Sequence, residues 1–113
     1  MIVRRWEHAG MDCLLRHGAF GCPCGYVRVP EGHPLHGRVC WELDEVDVYG
    51  GVTWTGTLPE EDGWWIGFDM GHAGDFIFGG RSPLDLIPLR TDGECERETD
   101  RLAEQLAAMT KEE

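Results

Sequence analysis

The segment Asp69-x-x-His72-x-x-Asp75 places an imidazole between two carboxylates in a run that also holds Gly71, Ala73 and Gly74. Imidazole and carboxylate suit zinc, manganese or iron, and small residues between them let three side chains converge from one tight loop. The same trio can work without a metal. A histidine flanked by carboxylates can have its tautomer fixed and its basicity raised, which suits a general acid or base near neutral pH. His33 and His36, from the loop-like stretch Glu31-Gly32-His33-Pro34-Leu35-His36-Gly37, are candidates to complete the site. A plainer structural reading stands beside these: Asp at a strand end caps a turn through backbone N–H groups, and His beside Gly satisfies a buried carbonyl.

A second set comprises Cys13, His17, Cys22, Cys24, His33, His36 and Cys40. Thiolate and imidazole are structural-zinc ligands, but Cys22-Pro23-Cys24 has one intervening residue where zinc knuckles have two to four. Zinc is therefore admissible but not favoured, and buried cysteines packing as small hydrophobes are the simpler reading. A cysteine nucleophile with His17 or His33 as base would also need an orienting partner in space. With Cys95 there are five cysteines, so any intramolecular disulfide scheme leaves one unpaired, and reduced thiols or a metal are expected instead.

Gly50-Gly51 follows Val46-Asp47-Val48-Tyr49 and reads as a bulge or a close backbone approach opposite the Gly67-Phe68-Asp69 end of an aromatic strand. Amide groups there could cradle a phosphate, yet no Walker or dinucleotide fingerprint accompanies them. Trp54, Trp64 and Trp65 could stack a base or meet a partner; being adjacent in a strand, Trp64 and Trp65 must point to opposite faces.

These residues need elements to hold them. Met11 to Arg16 and Gly25 to Pro30 read as strands joined across a Gly- and Pro-rich turn. Val39 to Leu43 suits a short strand or helical turn, and Val46 to Tyr49 a strand resumed at Val52 to Thr55. Trp64 to Phe68 is strongly strand-like, so residues 52 to 68 form a second hairpin about the turn Leu58-Pro59-Glu60-Glu61-Asp62-Gly63. Pro83 and Pro88 punctuate a connection, after which Thr91 or Asp92 caps a helix from Glu94 to about Met109. Leu102, Leu106 and Met109 with Ala103 and Ala107 give it one apolar stripe to lay across the sheet, and Glu94, Glu96 and Glu98 complement its dipole. The expected fold is α+β: one domain over residues 1–113, a twisted and mainly antiparallel sheet of four to six strands within about 11–80, and a C-terminal helix at about 94–109.

Composition narrows the function. The 113 residues carry 10 Lys+Arg against 21 Asp+Glu, a net charge of −11, and only one Lys, which argues against general binding to nucleic acid. Eight of the acids fall in residues 92–113, where a helix face accounts for most of them. No run approaches the roughly 20 apolar residues of a membrane span. The start Met1-Ile2-Val3-Arg4-Arg5-Trp6-Glu7 lacks a signal peptide's apolar core, so a cytoplasmic location and no membrane partner are expected.

Three runs in order, Cys24-Gly25-Tyr26-Val27-Arg28-Val29-Pro30-Glu31-Gly32-His33-Pro34-Leu35, Val48-Tyr49-Gly50-Gly51-Val52-Thr53 and Trp65-Ile66-Gly67-Phe68-Asp69-Met70-Gly71-His72-Ala73-Gly74-Asp75, make a distinctive combination. It resembles a group of small uncharacterised proteins encoded by bacteriophages and prophages, over residues 13 to 75 and more loosely the acidic helix. Members of that group commonly carry His at the position of Tyr49 and Cys at that of Met70, so this chain departs at two sites that could have been ligands. The resemblance implies the cytoplasm of an infected bacterium and, by analogy of source and size, an accessory protein that binds a host factor, an anti-defence (anti-CRISPR-like) inhibitor being one such class. The expected function is thus non-enzymatic binding of a host protein or small ligand through His33, His36, Asp69, His72, Asp75, Trp64 and Trp65. The alternative is a small hydrolase, metal-dependent or not, with Asp69, His72, Asp75 and His33 as its site. Enzyme and binding module both remain open at this level, as does the oligomeric state.

Overall fold

A computed structural model describes residues 2–80 and 86–109. Pro83 lies outside the described residues. Strands β1 (Ile2–His8), β2 (Met11–His17), β3 (Pro23–Val29), β4 (Trp54–Leu58) and β5 (Glu61–Asp69) form an antiparallel sheet in the order β1-β2-β3-β5-β4. A two-stranded sheet of β6 (Phe76–Phe78) and β7 (Leu86–Pro88) follows, and then helix α1 (Asp92–Ala108). The architecture is the expected α+β arrangement, with the helix packed on the five-stranded sheet.

Alternation decides the two faces. Leu15, Val27, Val29, Ile66 and Phe68 point toward α1 and meet Cys95, Leu102, Ala103 and Leu106 in the main core. Leu14, Leu58 and Trp65 make a smaller cluster on the opposite face. The close approach of helix to sheet depends on Gly25, where an added Cβ would fall 2.1 Å from Thr99 Oγ1 and 2.7 Å from Phe68. Thr99 is itself fully buried, and its hydroxyl donates to the Cys95 carbonyl at 2.7 Å. Thr91 caps the helix: its Oγ1 accepts from the Glu94 amide at 3.1 Å while Glu94 Oε1 accepts from the Thr91 amide at 2.8 Å. That second bond holds the Glu94 carboxyl below its ordinary range.

The edge strand β1, absent from the expected elements, pairs with β2 along its length and is tied as well to the acids of α1. Arg4 pairs with Glu96, Trp6 Nε1 donates to Asp100 at 2.7 Å, and His8 Nε2 lies 2.7 Å from Glu104. Two residues of strand advance by about 6.7 Å and four of helix by about 6 Å, so positions two apart on β1 stay in step with positions four apart on α1. The acidic stripe of the helix is a seam for this strand as well as a complement to its dipole.

One alternative is decided and one expectation corrected. Of the two readings of Val39 to Leu43 the helical turn is the one found, a 3-10 turn at Cys40–Glu42. Val46 to Tyr49 is not a strand: Val46 and Val48 are buried as alternation demands, but the backbone pairs with helix side chains instead of a ladder. Gln105 Oε1 accepts from the Asp47 amide and its Nε2 donates to the Asp47 carbonyl, each at 2.7 Å, and Glu98 Oε1 accepts from the Tyr49 amide at 2.8 Å. The second hairpin forms as expected, with its first strand starting at Trp54.

Candidate functional site

Strand β5 ends at Asp69, and the chain turns at once through a 3-10 turn at Ala73–Asp75. Asp69 Oδ1 accepts from the Gly71 amide at 3.0 Å, the Asx-type bond that lets a strand end sharply. Asp75 is 1% exposed and its oxygens are well occupied. Oδ1 accepts from Tyr49 Oη–H and from Arg90 Nε at 2.9 Å, while Oδ2 accepts from the His72 amide at 3.0 Å. Burial alone would push the Asp75 carboxyl up, but the donors from Tyr49, Arg90 and His72 outweigh it and hold it below its ordinary value. Donation to Asp75 in turn holds the Tyr49 phenol above its usual range.

Asp75 is thereby a fastening. It ties the segment carrying Tyr49, the turn carrying His72 and the strand end carrying Arg90 into one unit, with the Leu89 amide donating to the Asp75 carbonyl at 2.7 Å. The His72 ring rests on Gly50, where a Cβ would fall 2.3 Å from its Cε1, so Gly50 at φ +70° is required twice, for backbone and for space. This is the close backbone approach expected of Gly50-Gly51. His72 Nδ1 stands 3.6 Å from Asp75 Oδ2 and 4.0 Å from Asp69 Oδ1.

Asp69 and His72 border a cavity of about 510 Å³. Its apolar wall is Ala19, Phe20, Ala73, Phe76 and Leu86, with the Phe20 and Phe76 rings edge to face at 6.1 Å. Cys22 and Cys24, two apart and on one side of the chain at the start of β3, present their sulfurs 4.0 Å from each other in the same wall. Gly18 and Gly71 close over them, since a Cβ would come 3.0 Å from Cys24 Sγ and 2.9 Å from Cys22 Sγ respectively. Burial pushes the Cys24 thiol up to about 12 and raises Cys22 also, so both enter the cavity as neutral thiols. Among the described residues no group of three or more His, Cys, Asp or Glu side chains is placed to hold a metal ion.

The remaining expected site residues lie elsewhere. His33 Nδ1 accepts from the Leu35 amide at 3.0 Å, which leaves Nε2–H to donate to the Leu106 carbonyl at 2.7 Å, satisfying an end carbonyl of α1. It is the histidine that satisfies a carbonyl, and it does not join Asp69, His72 and Asp75. His36 packs against Trp64 with ring centroids 5.7 Å apart. Trp64 and Asp69 are five residues apart on β5, about 17 Å in a strand, so the His33–His36 loop and the Asp69–Asp75 turn serve opposite ends of the sheet. Trp64 and Trp65 do face opposite sides, but Trp65 is 3% exposed, with Nε1–H donating to the Asp62 carbonyl, and offers no surface to a partner. The exposed aromatic side chains are instead Trp41, Trp54, Phe20 and Phe78.

No family model, curated protein or solved structure matches the chain. Its site is therefore read from its own chemistry. Among the described residues no helix is long and apolar enough to cross a membrane. Sequence reasoning missed Tyr49 and Arg90 as fasteners of Asp75, and Phe20, Phe76, Leu86 and the Cys22/Cys24 pair as walls. The one local signal was the Gly- and Pro-rich turn about Phe20, which stands at φ +57°.

Proposed function

We propose that the protein is a non-catalytic binding module that takes a small ligand into the cavity beside Asp69 and His72. The observation that carries this reading is the cavity itself. A volume of about 510 Å³ with mostly apolar walls and a few convergent polar groups is the usual form of a small-molecule site. Asp75 and His33 are spent on backbone and side-chain donors or acceptors, so the groups facing the cavity suit recognition better than a hydrolytic constellation. The resemblance of its three motif runs to small phage and prophage proteins is the ground for proposing a setting in the host bacterial cytoplasm. A 12.7 kDa accessory protein acts there by capturing a host molecule, with an anti-defence inhibitor as the corresponding class.

Ligand-observed NMR with a fragment library tests this, using Ala73→Trp to fill the cavity from its exposed rim. Fragments that bind the wild-type protein and lose their signal with the variant support the reading. Equal responses from the two proteins would remove it.

A further inference from the structure

We propose that the cavity selects a small organic cation, a primary or secondary ammonium group carried on an aromatic or branched apolar body, with Asp69 as its counter-charge. This rests on the reading of the cavity as a ligand site and names the ligand's chemistry.

The argument begins with sign. Among the described residues the wall holds one carboxylate, Asp69, and no Lys or Arg. The guanidinium of Arg90 is engaged with Asp75 and Tyr49 and is not part of the wall. The two thiols are neutral, so among the described residues of the wall only the His72 ring stands beside the carboxylate as a basic group. A phosphate or carboxylate ligand would meet Asp69 across an apolar space with no Lys or Arg among the described wall residues to receive it. Low-polarity surroundings strengthen that repulsion, and for the same reason strengthen attraction to a cation.

Position agrees with sign. The backbone amide of Gly71 donates to Asp69 Oδ1 and holds the carboxylate at the end of β5. Its side chain remains 33% exposed, at the border between β5 and the cavity. Beside it, the rings of Phe20 and Phe76 offer aromatic surface for a hydrocarbon body and for contact between a cation and a π face. The volume holds a molecule of one or two rings. The net charge of −11 raises the local concentration of cations around the whole molecule.

Calorimetric titration with three probes of one body tests the inference: 2-phenylethylamine, 2-phenylethanol and 3-phenylpropionate. The amine is expected to bind about tenfold or more tightly than the alcohol, and the anion not to bind detectably. Asp69→Asn should erase the preference for the amine over the alcohol. Should that variant not fold, the wild-type protein still decides: raising salt from about 0.05 to about 0.5 M must weaken the amine and leave the alcohol unchanged. Alcohol binding equal to amine, or anion binding tighter, would overturn the choice of a cation while leaving the cavity as a ligand site. If none of the three binds and the fragment screen is also blind to Ala73→Trp, both readings fall together.

Discussion

Asp75 shows how a residue with catalytic credentials is put to structural use. Its carboxylate accepts from a phenol, a guanidinium and an amide contributed by three separate segments, and removing the charge leaves those donors mismatched. Asp75→Asn is expected to cost about 2 kcal/mol in urea denaturation near neutral pH, because an amide group must present N–H to a donor. The pH dependence has a defined sign. The folded carboxyl sits below the ordinary 3.8, so its stabilisation is fully present above the unfolded value and is lost as pH falls through the folded one. Wild type and Asp75→Asn should therefore differ by a constant amount above about pH 5, begin to converge only as pH falls below about 4, and meet only below the depressed folded value. A gap that persisted to the acid limit would mean that the carboxylate's charge is not what the fold uses. The Asp-His-Asp spacing was legible because all three residues sit in one turn. The job of Asp75 was not, since Tyr49 and Arg90 lie 26 and 15 residues away. His33 hid its role in the same way, its helix partner being 73 residues distant.

At the scale of elements, hairpins with alternating apolar residues could be read directly, and the helix stripe through Leu102 and Leu106 fell where spacing put it. Strand β1 could not, because Arg4, Arg5 and Glu7 obscure its period and the acids that pair with Arg4, Trp6 and His8 lie on a helix at the far end of the sequence. The turn into β2 also lacks the usual mark. Ala9 and Gly10 stand at φ +54° and +78°, the two positive angles of a tight hairpin turn that ordinarily takes Asn-Gly. Alanine bears a steric cost there that glycine does not. Ala9→Gly is expected to stabilise the protein by about 0.5–1 kcal/mol, read as a higher denaturant midpoint at unchanged slope. A lower midpoint would show that the turn is not held in this form. The stretch from Val46 to Tyr49 misled for the opposite reason: its alternation is genuine, but burial under a helix produces the same period as burial in a sheet.

Across the whole molecule, the cavity border is coupled to the helix through a chain of contacts. Gln105 and Glu98 hold Asp47 and Tyr49, Tyr49 holds Asp75, and Asp75 holds the turn that carries His72. Gln105→Ala should increase hydrogen exchange at the Asp47 amide about fivefold, the effect of losing about 1 kcal/mol of local hydrogen bonding, while the amides of β3 and β5 stay protected. Unchanged exchange at Asp47 would mean that the burial of Val46 and Val48 alone secures the segment. Nothing in local patterning announced this coupling, because it joins polar side chains of a helix to the backbone of a loop more than 50 residues earlier. It also has a consequence for synthesis. The helix follows every described strand in chain order, so a nascent chain halted before Asp92 would carry β3 and β5 yet lack Glu98 and Gln105, which hold the backbone of the Asp47–Tyr49 segment. The border of the cavity would then be tied down only once α1 had emerged, so the order of translation itself delays completion of this part of the fold.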